Sequence, residues 1–227
     1  MFWNSFKIAF SMYSKIPMPK TDWTKENMKY VMCFFPLIGV AIGGLIWLWS
    51  IISHKLQLGN TLNTAIIIMI PVMITGGIHL DGFIDTMDAI NSYQPIERKL
   101  EILKDPHIGA FALISCVTYF IIDFGIWSEI SEKAIILLWI SFVLSRALSG
   151  FAIVTFPCAK KSGLVASFSD ASQKNAIKVT MILYIIICII TMLLVDNLSG
   201  LISITSAFLT FLYYKIMTKR KFGGITN

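Results

Sequence analysis

Apolar residues along this chain fall into long blocks rather than short alternating stretches. Six runs bounded by charged or turn residues stand out: 31–52, 62–78, 108–127, 134–156, 179–195 and 201–217. Each approaches the roughly 20 residues that a helix needs to cross a hydrocarbon core about 30 Å thick. The pattern predicts an all-α, polytopic membrane helical bundle of about six spans, folded as one transmembrane domain over residues 1–227. Gly39, Gly43 and Gly44 in the first run suit close approach by a neighbouring helix.

Composition supports lipid as the solvent. Hydrophobic residues make up 56% of the 227 positions and charged residues 14%, against about 25% charged in a soluble domain. The net charge is +6, and its distribution carries the information. Lys and Arg number 16 in the N-terminal segment, the loops after the second and fourth runs, and the C-terminal end. The alternate loops hold only Lys55 and Lys133. The positive-inside rule therefore places both ends in the cytoplasm. Because the basic residues are divided among four membrane-flanking segments, nucleic-acid binding is not expected.

Cys33, Cys116, Cys158 and Cys188 are scattered singly, with neither metal-ligand spacing nor a disulfide framework. Residues 1–30 are basic and amphipathic, unlike a cleavable leader. Phe2, Trp3, Phe6, Ile8 and Phe10 predict a segment lying in the interface with its aromatic face among headgroups. Pro17 and Pro19 then force an extended turn before the first span.

The chemistry concentrates in residues 79–107, a predicted cytoplasmic loop with short helices. Asp81, Asp85 and Asp88 are spaced i, i+4, i+7 and fall within about 60° of one another on a helix. Three like charges on one stripe repel, and a divalent cation removes that conflict. Hard carboxylate oxygens suit magnesium, which takes one or two carboxylates and completes its shell with phosphate oxygens. A solvated helical face is the competing explanation, but such faces interleave cations, and none follows until Arg98. Gly82 permits close approach of a phosphate or a neighbouring helix, and Gly76 and Gly77 do the same upstream. His79 points about 160° away from the stripe, so it caps or contacts substrate rather than joining the metal.

Ile96, Leu100 and Leu103 form the apolar stripe of a short helix after Pro95, and Glu97 and Glu101 pair with Arg98 and Lys104. Asp105 and His107 form a polar elbow at the mouth of the third run. They suit acid–base work or a second metal, and equally a satisfied boundary pair. Arg146 lies inside the fourth run, where a guanidinium is costly unless it meets a phosphate, a carboxylate or a polar cavity. Asp123, near the opposite end of the third run, is assigned to the interface.

The segment from Thr75 to Asp88, TGGIHLDGFIDTMD, resembles the signature of the cobalamin synthase family, the adenosylcobinamide-GDP ribazoletransferases. Supporting segments follow in the same order: Lys15–Pro19, Phe35–Gly39, Leu100–Gly109, Leu144–Ala147, Ala159–Leu164 and Gly223–Thr226. The resemblance implies transfer of α-ribazole, or its 5′-phosphate, onto adenosylcobinamide-GDP with expulsion of GMP and Mg2+ as cofactor. Asp81, Asp85 and Asp88 would be the metal ligands. Asp105 or His107 would take the hydroxyl proton. Substrate contacts would come from His79, Gly82, Lys104, Arg146, Lys160 and Lys161. The family pattern continues into an aspartate and a further apolar span, so one more span is expected beyond Asn227. A CDP-alcohol phosphatidyltransferase would need an Ala-Arg after the first Asp-Gly and two later aspartates, which this sequence lacks. An ion-coupled transporter would call for an inverted repeat with broken helices, and none is evident.

Overall fold

The computed structural model describes residues 1–159 and 173–226. Ten helices are described: α1 (Phe2–Tyr13), α2 (Lys25–Met28), α3 (Val31–Lys55), α4 (Asn60–Thr75), α5 (Ile78–Asn91), α6 (Ile96–Ile102), α7 (Ala110–Ser128), α8 (Glu132–Thr155), α9 (Lys174–Val195) and α10 (Asn197–Phe222). No strand is described, and pairing outside helices is confined to one isolated bridge between Cys158 and Ile225. Five helices are long and apolar enough to cross a membrane, and the α4–α5 pair raises the number to six if it counts as one broken span. The predicted polytopic all-α architecture is what the chain adopts.

The core is built on α3, α8 and α9, with α1 laid across the first turns of α3. A β-carbon at Gly43 would overlap the Trp139 indole, and one at Gly39 would press on the Phe142 carbonyl. These two glycines, four residues apart, open the groove into which α8 sinks. Gly44 faces open space, so only two of the three glycines serve this seam. On the other face of α8, Gly150 receives the Met181 thioether of α9.

Segment 1–30 departs from expectation in one respect. Ile8 and Phe10 lie in the core at 0% and 7% exposure, while Met1, Phe2 and Trp3 remain open. The aromatic face of α1 is therefore split. Phe6 stands edge-on to Phe34 and Tyr13 packs on Phe35, because burying rings against α3 removes more apolar surface than the headgroup region would. Only the tip is left for the interface. The Pro17–Pro19 stretch is extended, as the prolines require.

The helix bounds follow the predicted runs but extend past them at polar ends. α10 continues through Lys219, Arg220 and Lys221 to Gly223, whose φ of +79° closes the helix. Cations in that last turn suit the negative end of the helix dipole. The chain then returns to the end of α8, where Ile225 N–H donates to the Pro157 carbonyl at 2.8 Å and Ala159 N–H donates to the Ile225 carbonyl at 2.8 Å.

Candidate functional site

α4 ends at two consecutive left-handed glycines, Gly76 (φ +64°) and Gly77 (φ +80°). Only glycine takes up this pair of conformations at little cost. Gly77 N–H donates back to the Val72 carbonyl at 3.0 Å, terminating α4, and the Gly77 carbonyl accepts Asp81 N–H at 2.8 Å, starting α5. The result is a bend of 93° between the two helices. α5 therefore turns across the bundle rather than continuing through the bilayer. Sequence reasoning anticipated close approach at these glycines but not the turn.

The elbow is clamped from outside by Lys15. Its backbone N–H donates to the Ile74 carbonyl at 2.7 Å, and its side chain runs directly over Gly76, where a β-carbon would collide with Lys15 Cε. In the sequence, Lys15 counts toward orientation and belongs to the Lys15–Pro19 segment that carries part of the family resemblance. The unusual pairing of Lys-Ile-Pro with a distant Gly-Gly carried no signal of contact.

Along α5, Asp81 is exposed and Asp85 and Asp88 are half-buried. Asp81 occupies the first turn, where a carboxylate suits the helix dipole. Desolvation, then the charges of Asp81 and Asp88, hold the Asp85 carboxyl above its ordinary pKa. The repulsion expected from the i, i+4, i+7 spacing is therefore present. Asp88 sits against Gly109, the residue that caps α7, so closely that a β-carbon there would overlap its carboxylate. The aspartate stripe and the positive end of α7 thus meet at one point. No group of three or more His, Cys, Asp or Glu side chains converges as a ready-made metal site among the described residues. The donor chemistry still fits magnesium, which needs one or two carboxylates and fills its remaining positions from phosphate and water.

A β-carbon on Gly82 would meet nothing, so no helix packs there and the backbone beside Asp81 is open. His79 lies on another face of α5, 6.0 Å from the Phe35 ring between centroids. His79 is exposed by surface area, yet desolvation by the surrounding protein, then the positive charge of Arg146, hold it below the ordinary imidazole pKa. Arg146 is 6% exposed, stacks 6.0 Å from the centroid of the same Phe35 ring, and donates from one terminal nitrogen to the Phe142 carbonyl at 3.0 Å. Its Nε is buried with no hydrogen-bond partner. No acid pairs with it among the described residues. The structure thus brings His79 and Arg146 together, and separates them from the carboxylate stripe by the width of α5.

After α5, Arg98 pairs with Glu101, one of the pairings expected, and the predicted apolar face of α6 holds in part, with Leu100 and Leu103 half-buried. Ile96 is 37% exposed, whereas Lys99 is only 7% exposed. α6 packs on α10, and the aliphatic stem of a lysine covers such a contact as a leucine would. Lys104 is exposed. The Asp105–His107 elbow is a closed pair: His107 N–H donates to Asp105 Oδ1 at 3.0 Å, and the His107 Nδ1 lies 2.6 Å from the same oxygen. Those bonds, backbone before side chain, hold the Asp105 carboxyl below its ordinary range. Two residues later Gly109 touches Asp88, so the elbow borders the acidic stripe. Asp123 lies within α7, one turn before Trp127 of the same helix. Lys160 and Lys161 lie outside the described residues.

Comparison with known proteins gives a consistent answer. The family model described as cobalamin-5-phosphate synthase matches residues 5–226. An adenosylcobinamide-GDP ribazoletransferase of Lachnoclostridium phytofermentans is 50% identical over 99% of this chain and 86% of its own length. Proteins of the same description from Clostridium perfringens and Clostridium botulinum are 32% and 33% identical, over 100% and 99% of this chain and 91% and 90% of theirs. No solved structure matches the chain significantly.

Proposed function

Because the chain belongs to the cobalamin-5-phosphate synthase family, we propose that it joins adenosylcobinamide-GDP to α-ribazole or α-ribazole 5′-phosphate, releasing GMP. The observation that carries this reading onto the structure is the Asp81–Asp85–Asp88 stripe, fixed by the Gly76–Gly77 bend and seated on Gly109. A stripe of unneutralised carboxylates, one of them already resisting ionisation, is an arrangement that a diphosphate-bound cation stabilises.

Asp81 and Asp85 are the first ligands for Mg2+, with Asp88 a third. The ion supplies charge neutralisation on the diphosphate and the leaving GMP. The protein's own part is positioning. The open backbone at Gly82 admits the diphosphate close to α5, and Lys104, Lys160 and Lys161 contribute cations to its oxygens. Arg146, whose buried Nε lacks a partner, holds a substrate oxygen from the opposite face of α5 together with His79. A guanidinium left unsatisfied in a packed interior is costly until an acceptor arrives.

At the elbow, Asp105 accepts from His107 Nδ1 and so leaves Nε2 as the basic nitrogen. That nitrogen receives the proton of the attacking ribazole hydroxyl. A new oxygen–phosphorus bond forms on the cobinamide-side phosphorus, and the bond to the GMP oxygen breaks. The lysine distribution supports placing this chemistry, and both chain ends, on the cytoplasmic face of the prokaryotic inner membrane.

The test is GMP release by the purified protein in detergent, given adenosylcobinamide-GDP, α-ribazole and Mg2+. Release that requires both the ribazole and the cation is expected, with loss on chelation. Folded protein that releases no GMP under these conditions sinks the activity, whereas release unaffected by chelation removes only the metal.

A further inference from the structure

We propose that the N-terminal segment carries a binding pocket for the phosphate headgroup of an anionic phospholipid, separate from the transferase site. The pocket has a volume of about 590 Å³ and lies between α1, the proline loop and α2. On α1, Asn4, Lys7 and Ser11 line it; their i, i+3, i+7 spacing gathers them within about 60° of the helix surface. The opposite wall is Lys20, Asp22 and Trp23 from the loop.

The wall is a built frame. Asn4 Nδ2 donates to Asn27 Oδ1 at 3.2 Å, Ser5 Oγ donates to the Asn27 carbonyl at 2.6 Å, and Asn27 Nδ2 donates to the Asp22 carbonyl at 2.9 Å. One asparagine thereby ties α1, loop and α2 into a fixed cup. Its lining holds two lysines and one aspartate, and neither lysine is ion-paired among the described residues. Lys7 is half-buried, so part of its stem is packed against the frame. Such a cup selects an anion with several oxygen acceptors.

The surroundings say which anion. Trp23 lines the cup at 51% exposure, and Phe2 and Trp3, at 59% and 64%, share the first turn of α1 with Asn4. Phe2 packs on Tyr30 with ring centroids 4.8 Å apart, and Tyr30 caps α3, the first span. The cup is therefore near the mouth of a membrane helix, with the Trp23 ring in its wall and the open Phe2 and Trp3 rings on the adjoining turn of α1. Aromatic rings with a polar end favour headgroup depth, and lysines there attract anionic lipid. A free cytosolic anion would find the same charges but has no use for the rings.

The experiment starts from the full chain in mixed phosphatidylcholine and phosphatidylglycerol nanodiscs. Detergent extraction is followed by native mass spectrometry to count retained lipid. Retention of phosphatidylglycerol over phosphatidylcholine is expected, reduced about tenfold or more in the Lys7→Gln, Lys20→Gln double variant. Asp22→Asn, which removes the one opposing charge, retains more phosphatidylglycerol than the unaltered chain. Equal retention of the two lipids overturns the proposal, as does equal retention by the unaltered chain and the double variant. If the double variant does not fold, unchanged retention in Asp22→Asn overturns it instead. In a last arm inorganic phosphate is titrated into the delipidated protein; binding abolished by the Lys7→Gln, Lys20→Gln double variant and as tight as that of the lipid would assign the cup to a free anion and overturn the lipid.

Discussion

Two long apolar helices of this protein, α3 and α7, have very different surroundings. Half of the most apolar stretch of α3 is buried in protein, against 6% of that of α7. α3 is gripped by α8 through Gly39 and Gly43 and covered at its start by α1. α7 touches mainly α4 and α5 and exposes Leu113, Ile114, Val117, Ile121 and Ile122. The candidate chemistry sits on the loosely held side, on α5 and at the cap of α7. The tightly packed side contributes one cation, Arg146. This division suits an enzyme that must admit a bulky substrate: packing holds the frame, while the carboxylates are carried by elements whose neighbours are few and whose surroundings are open.

Substitutions on the two sides should fail in different ways. The largest effect is expected for Asp81→Asn, which should lower kcat by about a thousandfold while leaving the protein folded in the membrane, since Asp81 is exposed. GMP release alongside a size-exclusion profile checks both halves. Gly43→Leu should do the reverse. Its side chain has no space beside Trp139, so a cost of about 3 kcal/mol is expected as lost folded protein. Whatever folds should turn over at the normal rate, and activity per folded molecule reads this out.

Gly109→Ala should cost about tenfold in kcat/KM with little change in melting temperature, because the added methyl displaces the Asp88 carboxylate rather than a core side chain. A large loss of folded protein instead would mean that the Asp88 contact is a packing contact. The smallest effect concerns Asp85. Its folded pKa is raised, so the folded chain holds that proton more tightly than the unfolded one. The resulting penalty is absent at low pH and grows as pH rises through the raised value. Without divalent cation, Asp85→Asn should therefore melt about 2 °C higher near neutral pH and show no gain in acid. Equal melting with and without the carboxylate would remove the repulsion on which the cation argument rests.

Much of this was legible in the residues, for identifiable reasons. Apolar runs report their own length, so the spans were placed to within a few residues, and i, i+4, i+7 spacing is a purely local property of α5. The Arg98–Glu101 pair is local too. What escaped were facts about neighbours. Nothing in Ile8 or Phe10 says that α3 rather than lipid covers them. Nothing in Lys99 says that it is buried beside Leu100 while Ile96 is left exposed. Gly-Gly announces a permissive backbone but not a right-angled bend, and only the fold shows Lys15 lying across it. Asp105 and His107, left open between catalysis and local pairing, do pair, and that bond is compatible with either role.

The length of α4 has a consequence for the membrane around it. Its 16 residues span about 24 Å, short of a hydrocarbon core of about 30 Å, whereas α3 and α8 have 25 and 24 residues. The double-glycine bend is thus a ruler cut short. If α4 starts level with its longer neighbours, the start of α5 lies lower than their ends, in a dimple whose depth is set jointly by one helix and by the lipid. A thicker bilayer deepens that dimple and a thinner one lifts its floor toward the water. Access to the aspartates becomes a property shared between protein and membrane, tuned by acyl-chain length as much as by any side chain.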